Sequence, residues 1–307
     1  MTGGAGFIGA NLCRVLTDRG MDVVVLDDLS SGDKANIAGL PVTFCEGSIV
    51  DRTLVLEACR GADSIVHLGA RPSVPRSIAD PVASHQANAT GTLTVLEAAR
   101  DCGAHVVVAS SSSVYGANPT LPKHEGLVPA PLSPYAASKL AAESYTLAYQ
   151  HVFGVPSLAF RFFNVYGPLQ PAGHAYAAVV PAFVSALLAG QPLPLFGDGH
   201  QTRDFTSVGT VCAVLADAVV RRVCHPGPVN LAFGTRTSLR ELIALLESIS
   251  GRTATIDEHP PRAGDVRDSQ ADNTALRALF PTVQAEPLPD GLSRTVDWFT
   301  RTAGNPA

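Results

Sequence analysis

The chain has 307 residues, 46% of them hydrophobic and 16% charged, and a formal net charge of −5. That hydrophobic content excludes a disordered chain. The 22 Lys+Arg form no cluster against 27 Asp+Glu, which excludes a general grip on nucleic-acid phosphates, and no apolar run nears the roughly 20 residues of a membrane helix. Six cysteines (Cys13, Cys45, Cys59, Cys102, Cys212 and Cys224) lie far apart without a CxxC pair, and no secretory signal opens the chain. They read as reduced, mostly buried thiols of a cytoplasmic protein. The nine histidines show no HxxH or HExxH pairing, so no metal site is expected.

In chain order, short β-branched runs alternate with amphipathic stretches, the pattern of a parallel sheet covered by helices. The runs predict strands at Asp22–Asp27, Val42–Cys45, Ser64–Leu68, His105–Ser110 and Ser157–Arg161. Helices are expected near Gly6–Arg19, Thr53–Cys59, Pro81–Cys102 and Pro134–Phe153. Continuous apolar runs such as Val23-Val24-Val25-Leu26 imply burial on both sheet faces. A Pro/Gly-rich region, Gly167–Gly199, precedes a further set: Asp204–Val208, Val211–Arg222 and Val229–Ala232, then a helix opened by the capping box Ser238-Leu239-Arg240-Glu241. The expected organisation is a nucleotide-binding domain over 1–163 plus part of 205–232, and a smaller α/β substrate domain over 164–204 and 233–307. Met1-Thr2-Gly3 leaves no room for the strand that should precede a dinucleotide-binding turn, so a start several residues upstream is expected.

Glycines three apart, Gly3, Gly6 and Gly9, allow a tight turn, close approach of backbone N–H groups to a pyrophosphate and tight helix–strand packing. A helix then begins at Phe7 and Ile8 with its positive end toward the phosphates. Asp27, 18 residues beyond Gly9, ends a strand where a carboxylate can accept from ribose hydroxyls and disfavour a 2′-phosphate. NAD is therefore expected over NADP. Asp28, in Asp28-Leu29-Ser30, suits a ribose contact or a solvated loop equally.

Ser133 and Pro134 read as N-cap and first residue of a helix, which puts Tyr135 and Lys139 one turn apart on one face. An ammonium beside a phenol is expected to lower the phenol pKa and make Tyr135 a general base. The serine run Ser110-Ser111-Ser112-Ser113 ends an intervening strand, so a hydroxyl there can reach the same alcohol as Tyr135.

The glycine turn, the serine run, Tyr135-x-x-x-Lys139 and Arg161-Phe162-Phe163-Asn164-Val165-Tyr166-Gly167-Pro168 together resemble the extended short-chain dehydrogenase/reductase family. Within it, the chain is similar to nucleotide-sugar 4-epimerases acting on UDP-glucose and UDP-N-acetylglucosamine. The resemblance implies a Rossmann-type doubly wound sheet, held NAD, a UDP-sugar substrate and a 4-keto intermediate. It implies Ser111, Tyr135 and Lys139 as catalytic residues. It also implies Ser48, Ile49, Leu68, Ala70 and Asn88 near the cofactor, with Ser48 where an aspartate toward the adenine amine is usual. On the substrate it implies Asn164 and Arg203 at the diphosphate, the latter within Gly197-Asp198-Gly199-His200-Gln201-Thr202-Arg203-Asp204-Phe205. Arg262 and Asp265 would meet phosphate and ribose, and Arg76 and Ser112 would lie nearby. Ser269 would stand as a gate beside the sugar C2 substituent. Ser207 and Gly209-Thr210 depart from the family pattern.

Dehydratases of this family place an acid just before Val-Tyr-Gly; Ser112 and Ser113 stand there instead, which favours epimerisation over 4,6-dehydration. Leu169 and Pro171 stand where uronate-specific relatives carry arginines, leaving Arg71 and Arg76 as the carboxylate candidates for a UDP-glucuronate 4-epimerase. Leu93, Val95 and Leu96, with Leu140, Leu147 and Tyr149, look like apolar helix faces beyond what the sheet needs. The resemblance implies that these helices pair across a two-fold axis into a four-helix bundle and a homodimer.

Overall fold

A computed structural model describes residues 1–172, 177–261 and 266–303. Its centre is a parallel sheet. β1 (Val23–Asp27) pairs with β2 (Val42–Glu46), and β3 (Ser64–His67), β4 (His105–Ser111), β5 (Ser157–Phe162) and β10 (Val229–Leu231) form the rest. Between β1 and β3, the bridge among the described residues is Thr2, which pairs in parallel with both Leu26 and His67. With Thr2 in that place the strands run β2-β1-β3-β4-β5-β10, the order of the doubly wound dinucleotide-binding fold around a central first strand. Central strands are buried on both faces, as their unbroken apolar runs require; Val106, Val107, Val108, Leu158 and Phe160 are all essentially inaccessible.

One face is covered by α1 (Phe7–Asp18) and α8 (Val208–Arg221), whose buried Leu12, Cys13, Leu16, Val211 and Leu215 share one hydrophobic cluster with Val25 and Phe160. On the other face lie α2 (Arg52–Cys59), α5 (Gly91–Cys102) and α6 (Pro134–Phe153), around Val55, Val95, Leu96 and Tyr149. The segment expected as one helix, 81–102, is continuous, with α4 (Pro81–His85) joined to α5 by a π-helical turn, Gln86–Thr90. Before it comes a short helix that the sequence pattern does not show, α3 (Val74–Ala79), capped by Ser73.

A separate cluster gathers Phe183, Val184 and Leu187 of α7 (Val179–Leu188), Leu193 and Leu195 of β7 (Leu193–Phe196), and Leu242 and Leu246 of α9 (Leu239–Ser250). α10 (Leu288–Ala303) closes it with Leu292 and Val296. Two short strands join the two parts: β6 (Asn164–Tyr166), parallel to β9 (Phe205–Ser207). β8 (Thr202–Arg203) pairs antiparallel with β11 (Thr237–Ser238) just before α9, whose Ser238–Glu241 capping box is present as expected.

Candidate active site

A cleft of about 1180 Å³ runs past the carboxyl ends of β1, β3, β4 and β5 and on toward α7, β7 and β8. This exceeds the roughly 300–1,000 Å³ typical of a single small-molecule site. At one end Gly3 turns at φ +70°, and a Cβ on it would lie 2.7 Å from the Gly69 nitrogen; a Cβ on Gly9 would collide with the Gly3 carbonyl. Gly6 meets nothing closer than 3.3 Å, so its missing side chain opens the turn toward the cleft. No side chain caps α1, so its first N–H groups and its positive end are left for an anion. A dinucleotide pyrophosphate fits this cradle. Phe7, Ile8, Asp28, Ser30, Ser48, Ile49, Leu68 and Ala70 line the same end.

Asp27 is 7% exposed and does more than the sequence reading foresaw. Its carboxylate accepts from the Ala5 N–H at 2.9 Å and the Leu29 N–H at 2.9 Å, so it fastens the glycine turn while lining the cleft. Asp28 is exposed and caps its own loop, accepting from the Ser30 N–H and hydroxyl. Asn88 is a correction. It is 1% exposed and does not line the cleft, because its amide is fully engaged: Oδ1 accepts from Arg71 N at 2.7 Å, and Nδ2 donates to Arg71 O and Ser138 Oγ.

In the middle, α6 starts as expected: Ser133 caps it through Ala136 N at 3.2 Å, with Pro134 in its first turn. Tyr135 and Lys139 both line the cleft, together with Ser111 at the end of β4. The expected electrostatics differ. Burial raises the Tyr135 pKa, and the Ser111 hydroxyl opposes that rise. The Lys139 ammonium donates to the Ala109 carbonyl at 2.9 Å, and its own burial lowers its pKa to about 8. Ser112 is a second correction: it starts the 3₁₀ turn Ser112–Tyr115, which Ser111 caps, and it does not line the cleft.

Behind this centre lies a buried polar group that the sequence reading missed. The Arg161 guanidinium grips Glu143 through Nε and Nη2 at 3.0 and 2.7 Å, both side chains being 3–4% exposed. Ser110 donates to the same carboxylate at 2.6 Å, and Arg161 lies over the Tyr115 ring. Glu143 follows Lys139 by one turn, so this network ties α6 to the strand that carries Ser111.

At the far end Asn164 and Arg203 line the cleft with Arg76. Asp204, fully buried beside them, receives Gly234 N, Ala271 N and the Thr235 hydroxyl, while its carbonyl accepts from Asn164. Phe196, Gln170 and Gln201 also line this end; in the sequence they sit in Pro/Gly-rich chain without periodicity to mark them. The Ser269 N–H pairs with Thr202 O at 3.1 Å, next to the bridge between Thr202 and Asp268, which sets Ser269 beside β8. Arg262 and Asp265 lie outside the described residues.

A glycine cradle, a strand-end acid and a Ser/Tyr/Lys centre in one cleft define an NAD-binding enzyme of the short-chain dehydrogenase/reductase type. Residues 1–232 match the family model for the NAD dependent epimerase/dehydratase family, and the chain belongs to that family. It is 40% identical to the UDP-glucose 4-epimerase of Mycolicibacterium smegmatis over 97% of each chain. Among solved structures, it is similar to the UDP-N-acetylglucosamine 4-epimerase of Methanobrevibacter ruminantium in complex with UDP-N-acetylmuramic acid (TM-score 0.93, 31% identity, 98% and 97% of the two chains). It is also similar to the Thermus thermophilus UDP-glucose 4-epimerase complex with NAD (TM-score 0.89, 34% identity, 97% of each chain).

Proposed function

We propose that the chain is an isomerase that uses NAD to invert C4 of a UDP-sugar. The observation that carries this reading is the convergence of Ser111, Tyr135 and Lys139 in mid-cleft, between a dinucleotide cradle and a polar end holding Asn164 and Arg203. Gly3, Gly6, Gly9 and the first turn of α1 hold the pyrophosphate of NAD, and Asp27 meets the adenosine ribose with the lone pairs left by its two N–H contacts. When bound, NAD supplies a hydride acceptor that later returns the same hydride. Tyr135 takes the proton of the sugar 4-hydroxyl, Ser111 holds that oxygen, and Lys139 fixes the base from the same helix face. Asn164 and Arg203 grip the diphosphate, with Arg262 and Asp265 adding a phosphate and a ribose contact. Anchored there, the keto sugar turns and receives hydrogen on its other face.

Among the described residues, the only carboxylates lining the cleft are Asp27 and Asp28, at the cofactor end. No acid among them stands near Ser111 to drive loss of water, so re-reduction is the outlet and 4,6-dehydration is disfavoured. A second reading, UDP-glucuronate 4-epimerase, draws on Arg76, which lines the cleft and has no side-chain partner among the described residues. Tyr135→Phe tests the main assignment: turnover should fall about 10²–10⁴-fold, and near-wild-type turnover would refute it.

The proposed division of labour puts NAD on 1–163 plus part of 205–232 and the UDP-sugar on 164–204 and 233–307. A homodimer in the cytoplasm completes the proposal. Val95, Leu96 and Tyr149 are core residues and are not available to a partner. Ile78 on α3, Val82 on α4, and Tyr145 and Val152 on α6 are exposed and offer the apolar face instead. No helix among the described residues is long and apolar enough to cross a membrane.

A further inference from the structure

Tyr135 occupies the first turn of α6, where backbone N–H groups have no partner within the helix. Its N–H donates to Ser77 Oγ at 3.0 Å, and Ser77, fully buried on α3, donates in turn to Val74 O at 2.7 Å. The Tyr135 carbonyl accepts from Ser138 Oγ at 2.8 Å; that hydroxyl accepts from Asn88 Nδ2 at 2.9 Å, and the same Asn88 amide clamps both backbone groups of Arg71. Both backbone groups of the base are thus fastened to one segment, residues 71–79. Arg71, Ser73, Val74, Arg76 and Ala79 of that segment line the cleft. The segment is held under strain: Ser73 caps α3 at φ +95°, a backbone region costly for a residue with a side chain.

We infer that Ser77 is a positioning residue for Tyr135, and that the segment around α3 is the support that sets the base against Ser111, with Asn88 as its second fastening. The inference rests on the assignment of Tyr135 as the base. With Ser77 removed, the first turn of α6 loses its anchor and Tyr135 drifts from Ser111, whose hydroxyl opposes the rise in its pKa.

Ser77→Ala tests this against Ser84→Ala, an equally buried serine on α4 that donates to the Asp80 carbonyl and does not touch Tyr135. With a UDP-sugar, Ser77→Ala should lower kcat about tenfold or more and leave KM unchanged, since displacing a reacting group by a fraction of an ångström is enough for that. The acid limb of its pH–kcat profile should move to higher pH, and Ser84→Ala should match wild type in all three. Independently of turnover, hydrogen exchange in Ser77→Ala should speed up at the Tyr135 amide and not at the amides of β4. Equal kcat losses in both variants, an unmoved acid limb, or unchanged protection of the Tyr135 amide would each overturn the inference. If wild type turns over no UDP-sugar while Tyr135 protection falls as expected, the function is refuted and the support stands.

Discussion

Lys139 is 6% exposed, and burial lowers its pKa from an ordinary 10.5 to about 8. At about 1.4 kcal/mol per pKa unit, holding the ammonium there costs folding about 3 kcal/mol. Replacing Lys139 by methionine removes that cost and forfeits the hydrogen bond to the Ala109 carbonyl, worth about 1 kcal/mol. Lys139→Met should therefore be more stable than wild type by about 2 kcal/mol at pH 7, or about 3 °C in Tm, while turnover collapses. The sign with pH follows from the two pKa values. Between about 8 and 10.5 the unfolded chain holds a proton that the folded chain has released, so wild-type stability rises across that window. The advantage of the methionine variant should be full at pH 7 and gone by about pH 10.5. Urea unfolding of both proteins at several pH values, without added NAD, measures the difference. A variant less stable than wild type at pH 7, or a difference that ignores pH, would refute the reasoning.

Glu143→Gln leaves the Arg161 charge buried without its partner and should cost about 3–5 kcal/mol in urea unfolding; a loss below about 1 kcal/mol would contradict the network's role. Asp27→Asn should lower NAD affinity by calorimetry and stability by about 1–2 kcal/mol, because the amide accepts more weakly from the Ala5 and Leu29 N–H groups. The kcat/KM profile should stop rising as pH passes about 8, where ammonium lost from Lys139 offsets phenolate gained on Tyr135, and a profile still rising past that point would count against the ammonium's role. Light scattering at micromolar protein should give a dimer mass, and Val82→Asp with Tyr145→Asp should give a monomer; an unchanged dimer would place the interface elsewhere.

The elements that were legible were those with both a periodic pattern and a chemical boundary. Helix α6 ran from Pro134 to Phe153 as expected, because Ser133 caps it and Gly154 at φ +67° ends it. The strands around Val23 and Val106 were legible because burial on both faces demands unbroken apolar runs. The π-helical turn at Gln86–Thr90 was not, since one inserted residue leaves a helical pattern nearly intact. Helix α3 was hidden by its length, six residues with Pro75 among them. The cofactor end was readable because glycine spacing is itself the mechanism there. Asn88 and Ser112 were misplaced because sequence gives the residue type and not the direction of the side chain. The shift of Tyr135 went the other way because i, i+4 spacing shows that Lys139 shares a face with the phenol but not how deeply the phenol is buried, and burial sets the direction.

The central claim is that hydrogen leaves and returns to one sugar carbon within one cleft, and labelling tests it directly. The protein is incubated with UDP-glucose carrying deuterium at C4, and the products are read by NMR. UDP-galactose with deuterium retained at C4, inverted in configuration, and no net release of NADH are expected. Loss of the label to solvent, stoichiometric NADH, or a 4-keto-6-deoxy product would contradict it.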